Sequence, residues 1–231
     1  MLIRLNLMNK IGLAFSILCY SLIATAVTTE VIKNETADYI LDIKYPQGLP
    51  INGVNQTVKE FITNQQKSFM NELSEDADTP ADAPGKTGLT ITYTIPYQST
   101  NALSVWFNVS IYHRGAAHPS NSVAILNFIK GKPVQLADLF VSGADYLQPI
   151  SKLAEKEMTE KKISDENWIK DGTKPTMENY SIWHFTKNGI AIVFNTYQVA
   201  AYVYGEQTVN VPLSLISSMV KPDISKAVWG N

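Results

Sequence analysis

Cysteine is almost absent from the sequence, since Cys19 is the only one in 231 residues. A chain with one cysteine forms no internal disulfide and no metal site built from several thiolates. Charge of one sign is lacking as well, because 19 Lys and Arg face 21 Asp and Glu. A net charge of −2 gives no basic surface for nucleic-acid phosphates, so we expect no nucleic-acid partner.

Common signatures of catalysis and cofactor binding are also missing. The sequence contains no Gly-x-Ser-x-Gly elbow, His-Glu-x-x-His pair, glycine-rich phosphate loop or EF-hand string. Any chemistry therefore comes from three histidines, carboxylates, hydroxyls and amides. We expect no cofactor and no bound metal, and the sequence alone identifies no catalytic residue.

The first 26 residues have the pattern of an export signal. Two basic residues precede an almost wholly apolar run, and Ala24-Thr25-Ala26 supplies the small-x-small motif that a signal peptidase cuts. Cleavage would start the mature chain at Val27 and leave it without a membrane span, so we expect a periplasmic or secreted protein. A retained anchor and a lipoprotein cleaved before Cys19 are the alternatives.

Hydrophobic periodicity predicts an α+β fold with a mostly antiparallel sheet and two main helices packed on it. Alternating or continuous apolar runs predict strands at residues 39–45 (ended by Pro46), 89–98, 103–113, 123–130, a hairpin over 181–197 turning at Asn188-Gly189, and 206–213. Helical spacing predicts helices at residues 54–73 and 147–162 and a short closing helix at 213–219. Polar composition predicts long surface loops at residues 74–88 and 164–180.

The segment from His113 to Pro119 places two imidazoles and one guanidinium directly after a predicted strand. Connecting segments on a rigid scaffold often carry function, so Arg114 and His118 are candidate ligand-binding residues. His113 and His118 are five positions apart, which aims them oppositely on an extended chain, and no third metal ligand is adjacent. A structural loop, in which Gly115 supplies backbone freedom, is the alternative.

Tyrosines gather near the end of the chain, where Tyr197 and Tyr202 lie in or beside an irregular stretch. A tyrosine offers rigid contact area with a polar tip, which suits ligand recognition. The same properties suit the edge of a core, where the hydroxyl holds a loop in place. Both tyrosines are therefore candidate ligand-binding residues with a structural alternative.

An acidic loop contains Glu75, Asp76, Asp78 and Asp82. It lacks the residue order and the glycine of an EF-hand, so calcium binding is not expected. We expect this segment to be a solvated surface loop. The alternative is that its carboxylates assist electrostatic association with a basic partner.

Three stretches resemble known families. Residues 115–140, which begin Gly-Ala-Ala-His-Pro, and residues 185–216 resemble the RsiV-type domain of unknown function. The strand from residue 39 and the helix that follows it resemble the PdaC-type domain that commonly precedes it. The resemblance divides the chain into a signal peptide (1–26), a PdaC-like part (27–98) and an RsiV-like part (99–231), and we expect the last two to fold as one unit.

The resemblance implies an exported binding module without catalysis. In the RsiV group the module is the outer, lysozyme-recognising part of an anti-sigma factor, and in the PdaC group it accompanies a peptidoglycan deacetylase domain. It implies a cell-wall-related ligand, either a lysozyme-like protein or a peptidoglycan glycan. Because no part of this sequence resembles the deacetylase domain, we do not expect deacetylase activity.

The family's motif residues map onto particular positions of this chain. Its glycine, alanine and histidine fall on Gly115, Ala117 and His118, whereas Gln198 stands where the family often has a glutamate. If that carboxylate has a chemical role, this chain lacks it. The alternative function is a small exported hydrolase acting on esters or wall components, with His118 as base and a spatially near hydroxyl such as that of Ser120 or Tyr197.

Overall fold

The computed structural model describes residues 26–75 and 83–230. The predicted signal segment up to residue 25 lies outside the described residues, and so do Asp76, Asp78, Asp82 and the side chain of Glu75 from the predicted acidic loop. No helix in the described part of the chain is long and apolar enough to cross a membrane.

The larger of two sheets has six strands in chain order: β1 (Thr28–Glu35), β2 (Tyr39–Gln47), β3 (Thr87–Gln98), β4 (Ala102–Tyr112), β5 (Ser120–Ile129) and β6 (Lys132–Pro133). All neighbours are antiparallel except β2 and β3, which run parallel. A parallel neighbour requires a crossover connection, and helix α1 (Val54–Glu75) lies within it. The predicted α+β class and the predicted β3–β4 hairpin are confirmed.

Helix α1 covers one face of this sheet. Its apolar stripe is buried: Val54, Val58, Ile62 and Phe69. The stripe packs in one cluster with the apolar residues of the sheet, including Ile91 of β3 and Phe107 of β4. Because side chains alternate along a strand, the opposite face of β3 and β4 carries the threonines, serines and asparagine of these strands.

The second sheet is antiparallel and consists of β7 (Trp183–Thr186), β8 (Gly189–Phe194) and β9 (Gln207–Pro212). Every residue of β8 is buried, so the central strand of this sheet is covered on both faces. The predicted helix over 147–162 is α2 (Leu147–Lys161), which joins the core of this sheet through Ile150, Ala154 and Met158. The two main helices thus pack on different sheets.

The β7–β8 hairpin is confirmed, but its turn lies one residue earlier than predicted. Thr186 pairs with Gly189, so Lys187 and Asn188 form the two-residue turn. Gly189 begins β8 with a φ of +147°. A Cβ at this position would overlap the carbonyl oxygen of Val211, which explains why glycine is needed at the first strand position.

The predicted loop over 164–180 contains a helix that the sequence reading missed, α3 (Glu166–Gly172). Asp165 caps it, because the aspartate carboxylate accepts hydrogen bonds from the backbone N–H groups of Asn167 and Trp168 at 3.0 Å each. Only one side chain of the helix, that of Ile169, is buried. A single apolar position gives no periodicity to detect.

Three further boundaries differ from the prediction. Strand β1 precedes the first predicted strand and is almost fully exposed, so it shows no apolar alternation. Strand β2 continues past Pro46, which pairs with Thr29 of the edge strand. The short helix α4 (Leu213–Ile216) does not close the fold, because α5 (Pro222–Trp229) follows it.

The two sheets meet over the polar face of β4 and β5. The Ser104 hydroxyl donates to Asn127 Oδ1 at 2.6 Å and accepts the backbone N–H of Phe185 at 3.1 Å. The Asn127 amide donates to the carbonyl of Trp183 at 2.7 Å. Further along β4 the second sheet no longer covers this face, and Asn108 is exposed. The polar face is therefore buried at one end and open at the other.

Candidate functional site

Three of the four predicted site residues form one aromatic cluster, which consists of His118, Tyr197 and Tyr202. The His118 and Tyr202 rings stack with centroids 4.3 Å apart and planes 24° apart. The Tyr197 ring lies 5.7 Å from that of Tyr202 at 35°. His118 is exposed, and Tyr197 is 53% exposed. Two segments distant in sequence thus present a shared aromatic surface to solvent.

Hydrogen bonds fix the His118–Tyr202 stack to the backbone. The Tyr202 hydroxyl donates to the carbonyl of Pro119 at 3.0 Å and accepts from Asn121 Nδ2 at 2.7 Å. His118 Nδ1 lies 3.0 Å from the same carbonyl. Because a carbonyl only accepts, Nδ1 carries the proton in the neutral ring and Nε2 is the acceptor nitrogen.

Tyr197 adopts a left-handed backbone conformation with a φ of +67°. Such a φ is uncommon for residues other than glycine and is strained for a bulky side chain. The indole N–H of Trp168, in α3, donates to the Tyr197 carbonyl at 2.9 Å. The helix that the sequence reading missed therefore helps to hold this exposed tyrosine, and such strain is frequent at functional sites.

Arg114 is held by a different part of the chain. Its Nε donates to the carbonyl of Ala83 at 2.9 Å, and its backbone N–H donates to Thr87 Oγ1 at 3.0 Å. These bonds connect the segment after β4 to the start of β3. The structure thus brings His118, but not Arg114, into the Tyr202 stack.

A cleft of about 250 Å³ opens beside the aromatic cluster, where the polar face of β4 and β5 is uncovered. Its polar lining consists of Asn108, Ser110, Asn121, Ser122, Asn195, Thr196 and Glu206. Asn121 belongs to both features, because its amide also bonds the Tyr202 hydroxyl. The Thr196 hydroxyl donates to the backbone carbonyl of Asn121 at 2.9 Å. The cleft and the aromatic cluster therefore form one continuous candidate site.

Sequence reasoning identified none of these cleft residues as functional. Asn108 and Ser110 lie on the polar side of a predicted amphipathic strand, where a solvent-facing role is the ordinary expectation. A signal does exist, because Trp106, Asn108 and Ser110 share one face of β4. An indole and an amide on a strand face mark a surface with more than solubilising residues.

His184 supports the wall of the cleft indirectly. Its ring lies edge-on to that of Trp106, with centroids 5.9 Å apart, and its Nδ1 bonds the Phe185 carbonyl at 2.8 Å. The Trp106 indole N–H in turn donates to Asn108 Oδ1 at 2.8 Å. Burial lowers the pKa of His184, against an opposing effect of its backbone hydrogen bond.

Gln198 occupies the position where the resemblance leads us to expect a glutamate. Its Nε2 donates to the carbonyls of Gly172 at 3.1 Å and Asn179 at 3.0 Å, and its Oε1 accepts the backbone N–H of Asn195 at 3.3 Å. A carboxylate has no hydrogen to donate to two carbonyls. This amide therefore joins the end of α3 to the loop that bears Asn195.

The candidate site has no metal-binding geometry among the described residues. Within residues 26–75 and 83–230, no group of three or more His, Cys, Asp and Glu side chains is arranged to hold a metal ion. The polar groups of the candidate site are mainly amides and hydroxyls, with Glu206 as the carboxylate of the cleft. Such groups bind a ligand by hydrogen bonding.

Two family models match the chain. The model for the deacetylase PdaC matches residues 32–121, and the model for a protein of unknown function (DUF3298) matches residues 137–214. The peptidoglycan-N-acetylmuramic acid deacetylase PdaC of Bacillus subtilis is 29% identical over 172 residues, which cover 73% of this chain and 36% of that protein. The chain thus spans little more than a third of that relative's length.

Two solved structures share the fold. A DUF3298 family member from Bacteroides fragilis superposes with a TM-score of 0.58 at 20% identity, covering 88% of this chain and 98% of that one. A DUF3298 family protein from Pseudomonas aeruginosa gives a TM-score of 0.59 at 12% identity, covering 87% and 97%. The two-part resemblance seen in the sequence is confirmed, since residues 32–121 are similar to PdaC and residues 137–214 are similar to DUF3298.

Proposed function

We propose that this protein is an exported binding module that recognises a peptidoglycan glycan without catalysing a reaction on it. The observation that carries this proposal is the exposed His118–Tyr197–Tyr202 cluster at the edge of a polar cleft. Aromatic rings offer a flat apolar surface, and the adjoining amides and hydroxyls offer directed hydrogen bonds. A sugar ring has both an apolar face and a rim of hydroxyls.

The relative from Bacillus subtilis supports the choice of ligand, since its name states that it acts on peptidoglycan N-acetylmuramic acid. The region that this chain shares with it would then contribute recognition of the wall. Export is supported by the signal-like pattern before Val27. We also propose that residues 27–98 and 99–231 fold as one unit, because β3 and β4 pair across that boundary.

The geometry supports binding better than a hydrolase built on His118. A nucleophilic hydroxyl has to lie within hydrogen-bond reach of its base. The Tyr202 hydroxyl is already engaged with Pro119 and Asn121, and the His118 ring is stacked on it. No hydroxyl of the described residues forms a hydrogen bond with the His118 imidazole.

A lysozyme-like protein is the second candidate ligand, and one observation favours it. Val203 is 83% exposed and Tyr204 is 48% exposed on the turn that begins at Tyr202. Exposed apolar side chains next to a cleft suit a protein partner. This candidate predicts that Val203 contributes to binding, whereas a glycan bound on the aromatic cluster does not require Val203.

The test is a pull-down of the purified protein with peptidoglycan sacculi, beside calorimetric titration with a c-type lysozyme at two salt concentrations. Tyr197→Asn removes the exposed ring while keeping a residue that tolerates a positive φ, and Val203→Ser is its matched control on the same surface. We expect the original protein to be retained on sacculi. Tyr197→Asn should weaken this binding about tenfold, which corresponds to the loss of roughly one stacking contact. Val203→Ser should leave it unchanged.

The opposite pattern, lysozyme binding that Val203→Ser weakens with no retention on sacculi, would replace the glycan by a protein partner. Measurable ester hydrolysis that disappears in His118→Ala would establish the hydrolase alternative. Absence of all three activities would reject a cell-wall ligand at this site.

A further inference from the structure

The three asparagines of the cleft each use one half of their amide inside the protein. Asn108 Oδ1 accepts the indole N–H of Trp106 at 2.8 Å, and Asn195 Oδ1 accepts the backbone N–H of Val123 at 2.7 Å. Asn121 does the reverse, since its Nδ2 donates to the Tyr202 hydroxyl. Each internal bond fixes which half of the amide is directed at a ligand.

The halves left for a ligand form a defined pattern. Asn108 and Asn195 offer N–H donors, whereas Asn121 offers a carbonyl oxygen and Glu206 a carboxylate. No Lys, Arg or His of the described residues lines this cleft. Val123 contributes apolar surface beside these groups, because it pairs with Asn108 on the same face of the sheet. The cleft thus complements a small chemical group that accepts hydrogen bonds, donates hydrogen bonds and has an apolar end.

We propose that this cleft binds the N-acetyl group of an uncharged amino sugar, an inference that rests on the proposed glycan-binding function. The acetyl carbonyl accepts from the amides of Asn108 and Asn195, and the N–H of the sugar donates to Asn121 Oδ1. The methyl group lies against Val123, while the sugar ring extends toward Tyr202. A volume of about 250 Å³ is below the range of about 300–1,000 Å³ usual for drug-sized ligands, which suits one substituent and part of one ring.

Two charged sugars fit less well. A free ammonium only donates, so it can pair with Glu206 and Asn121 Oδ1 but leaves both outward asparagine N–H groups without an acceptor. A sugar that carries a carboxylate meets Glu206, and like charges repel. The cleft therefore selects the N-acetylated, uncharged sugar over its de-N-acetylated form and over an acidic sugar such as N-acetylmuramic acid.

The experiment is calorimetric titration of the purified protein with three probes: tri-N-acetylchitotriose, the fully de-N-acetylated trimer, and N-acetylmuramic acid. Asn195→Asp is the informative variant, because an aspartate oxygen still accepts the Val123 N–H while the outward donor is lost. Asn108→Asp has the same design with respect to Trp106. Asn210→Asp is the matched control. Asn210 is exposed on β9 and does not line the cleft, so this substitution introduces the same charge at a distance from the proposed contacts.

We expect Asn195→Asp and Asn108→Asp each to weaken binding of tri-N-acetylchitotriose about tenfold, the cost of one well-placed hydrogen bond, and Asn210→Asp to have no effect. Thermal unfolding should be unchanged in all three variants. Glu206→Gln should raise the affinity for N-acetylmuramic acid severalfold relative to the affinity for the neutral trimer.

Equal affinity for the acetylated and de-N-acetylated trimers would overturn the inference. So would full affinity in both cleft variants. If sacculi are retained in a Tyr197-dependent manner and the cleft variants still bind normally, the N-acetyl inference fails while the proposed glycan function stands. If neither sacculi nor any trimer binds, both fail.

Discussion

The two ends of the β4–β5 ribbon carry the same residue pair in the same register, and only one of them is buried. Ser104 pairs with Asn127 where the second sheet covers the ribbon, and Ser110 pairs with Asn121 beside the open cleft. At the covered end, Ser104 and Asn127 form a hydrogen bond with each other. Asn127 also donates to the carbonyl of Trp183, and Ser104 also accepts the backbone N–H of Phe185. At the open end, the Asn121 amide makes one internal bond, to Tyr202.

The difference teaches that residue type does not decide whether a polar pair is structural or functional. A buried amide has to satisfy its hydrogen bonds internally, because water cannot replace a lost partner. An exposed amide can leave half of its capacity for a ligand. The second sheet thus turns one Ser–Asn pair into a joint between sheets and leaves the other open to solvent.

The largest effect that would sharpen this comparison is expected at the buried pair. Asn127→Ala should lower the free energy of unfolding by about 2–4 kcal/mol, since it leaves a cavity and strands the Ser104 hydroxyl and the Trp183 carbonyl. Asn121→Ala should cost less than about 1 kcal/mol, because water can replace the lost amide. Urea unfolding of both variants measures the difference, and equal losses would contradict the distinction.

A half-buried amide whose hydrogen bonds are all internal, that of Gln198, extends the comparison. Gln198→Glu should cost about 1–3 kcal/mol at neutral pH, because a carboxylate then faces the carbonyls of Gly172 and Asn179. This environment raises the pKa of the introduced carboxyl in the folded state. The folded state therefore binds more protons than the unfolded one, and the lost stability should return as the pH falls.

Gln207→Glu is the matched control for that variant. The Gln207 side-chain oxygen accepts from the ammonium of Lys161 at 2.9 Å, and its Nε2 donates to the carbonyl of Tyr204 at 2.7 Å. A carboxylate there gains an ion pair and loses the bond to Tyr204, and because these changes offset each other, stability at neutral pH should be nearly unchanged. A Gln198→Glu protein as stable as Gln207→Glu at pH 7 would show that the Gln198 amide does not hold these segments together.

A smaller effect concerns His184, which lies between the two ends of the ribbon. Burial lowers its folded-state pKa from 6.5, so below that pH the unfolded state binds more protons than the folded state. Stability is therefore present above pH 6.5 and is lost as the pH falls toward the folded-state pKa. Unfolding of His184→Asn between pH 7.5 and pH 5 should show a shallower loss than the original protein, and an identical pH dependence would contradict this account.

The smallest effect on stability is expected at the open end. His118→Ala removes an exposed ring stacked on Tyr202 and should change the free energy of unfolding by no more than about 0.5 kcal/mol. Binding to sacculi should weaken in the same variant. A large drop in melting temperature would assign His118 to the fold instead of the site.

The sequence predicted the elements whose apolar residues are regularly spaced. The β3–β4 hairpin, α1 and α2 each bury a continuous apolar stripe, and each was found with small boundary errors. Strand β1 was missed because it is exposed and gains its hydrogen bonds from β2 alone. Helix α3 was missed because Asp165 capping and one buried isoleucine define it, and neither produces a period.

The site was predictable only in part, for a related reason. The aromatic candidates stand out by residue type, so His118, Tyr197 and Tyr202 were found before the structure showed their contact. The asparagines of the cleft stand out less, because the shared strand face of Trp106, Asn108 and Ser110 does not show where the second sheet stops covering β4. Long-range packing of this kind is not encoded in a short window of sequence.

The most direct test of the account follows the side-chain amides themselves by ¹⁵N-resolved NMR during titration with tri-N-acetylchitotriose. The account predicts that the side-chain N–H₂ signals of Asn108, Asn121 and Asn195 shift with a common saturation curve, while that of Asn127 stays in place. Saturable binding in which none of the three cleft amides moves, or in which Asn127 moves with them, would contradict the account.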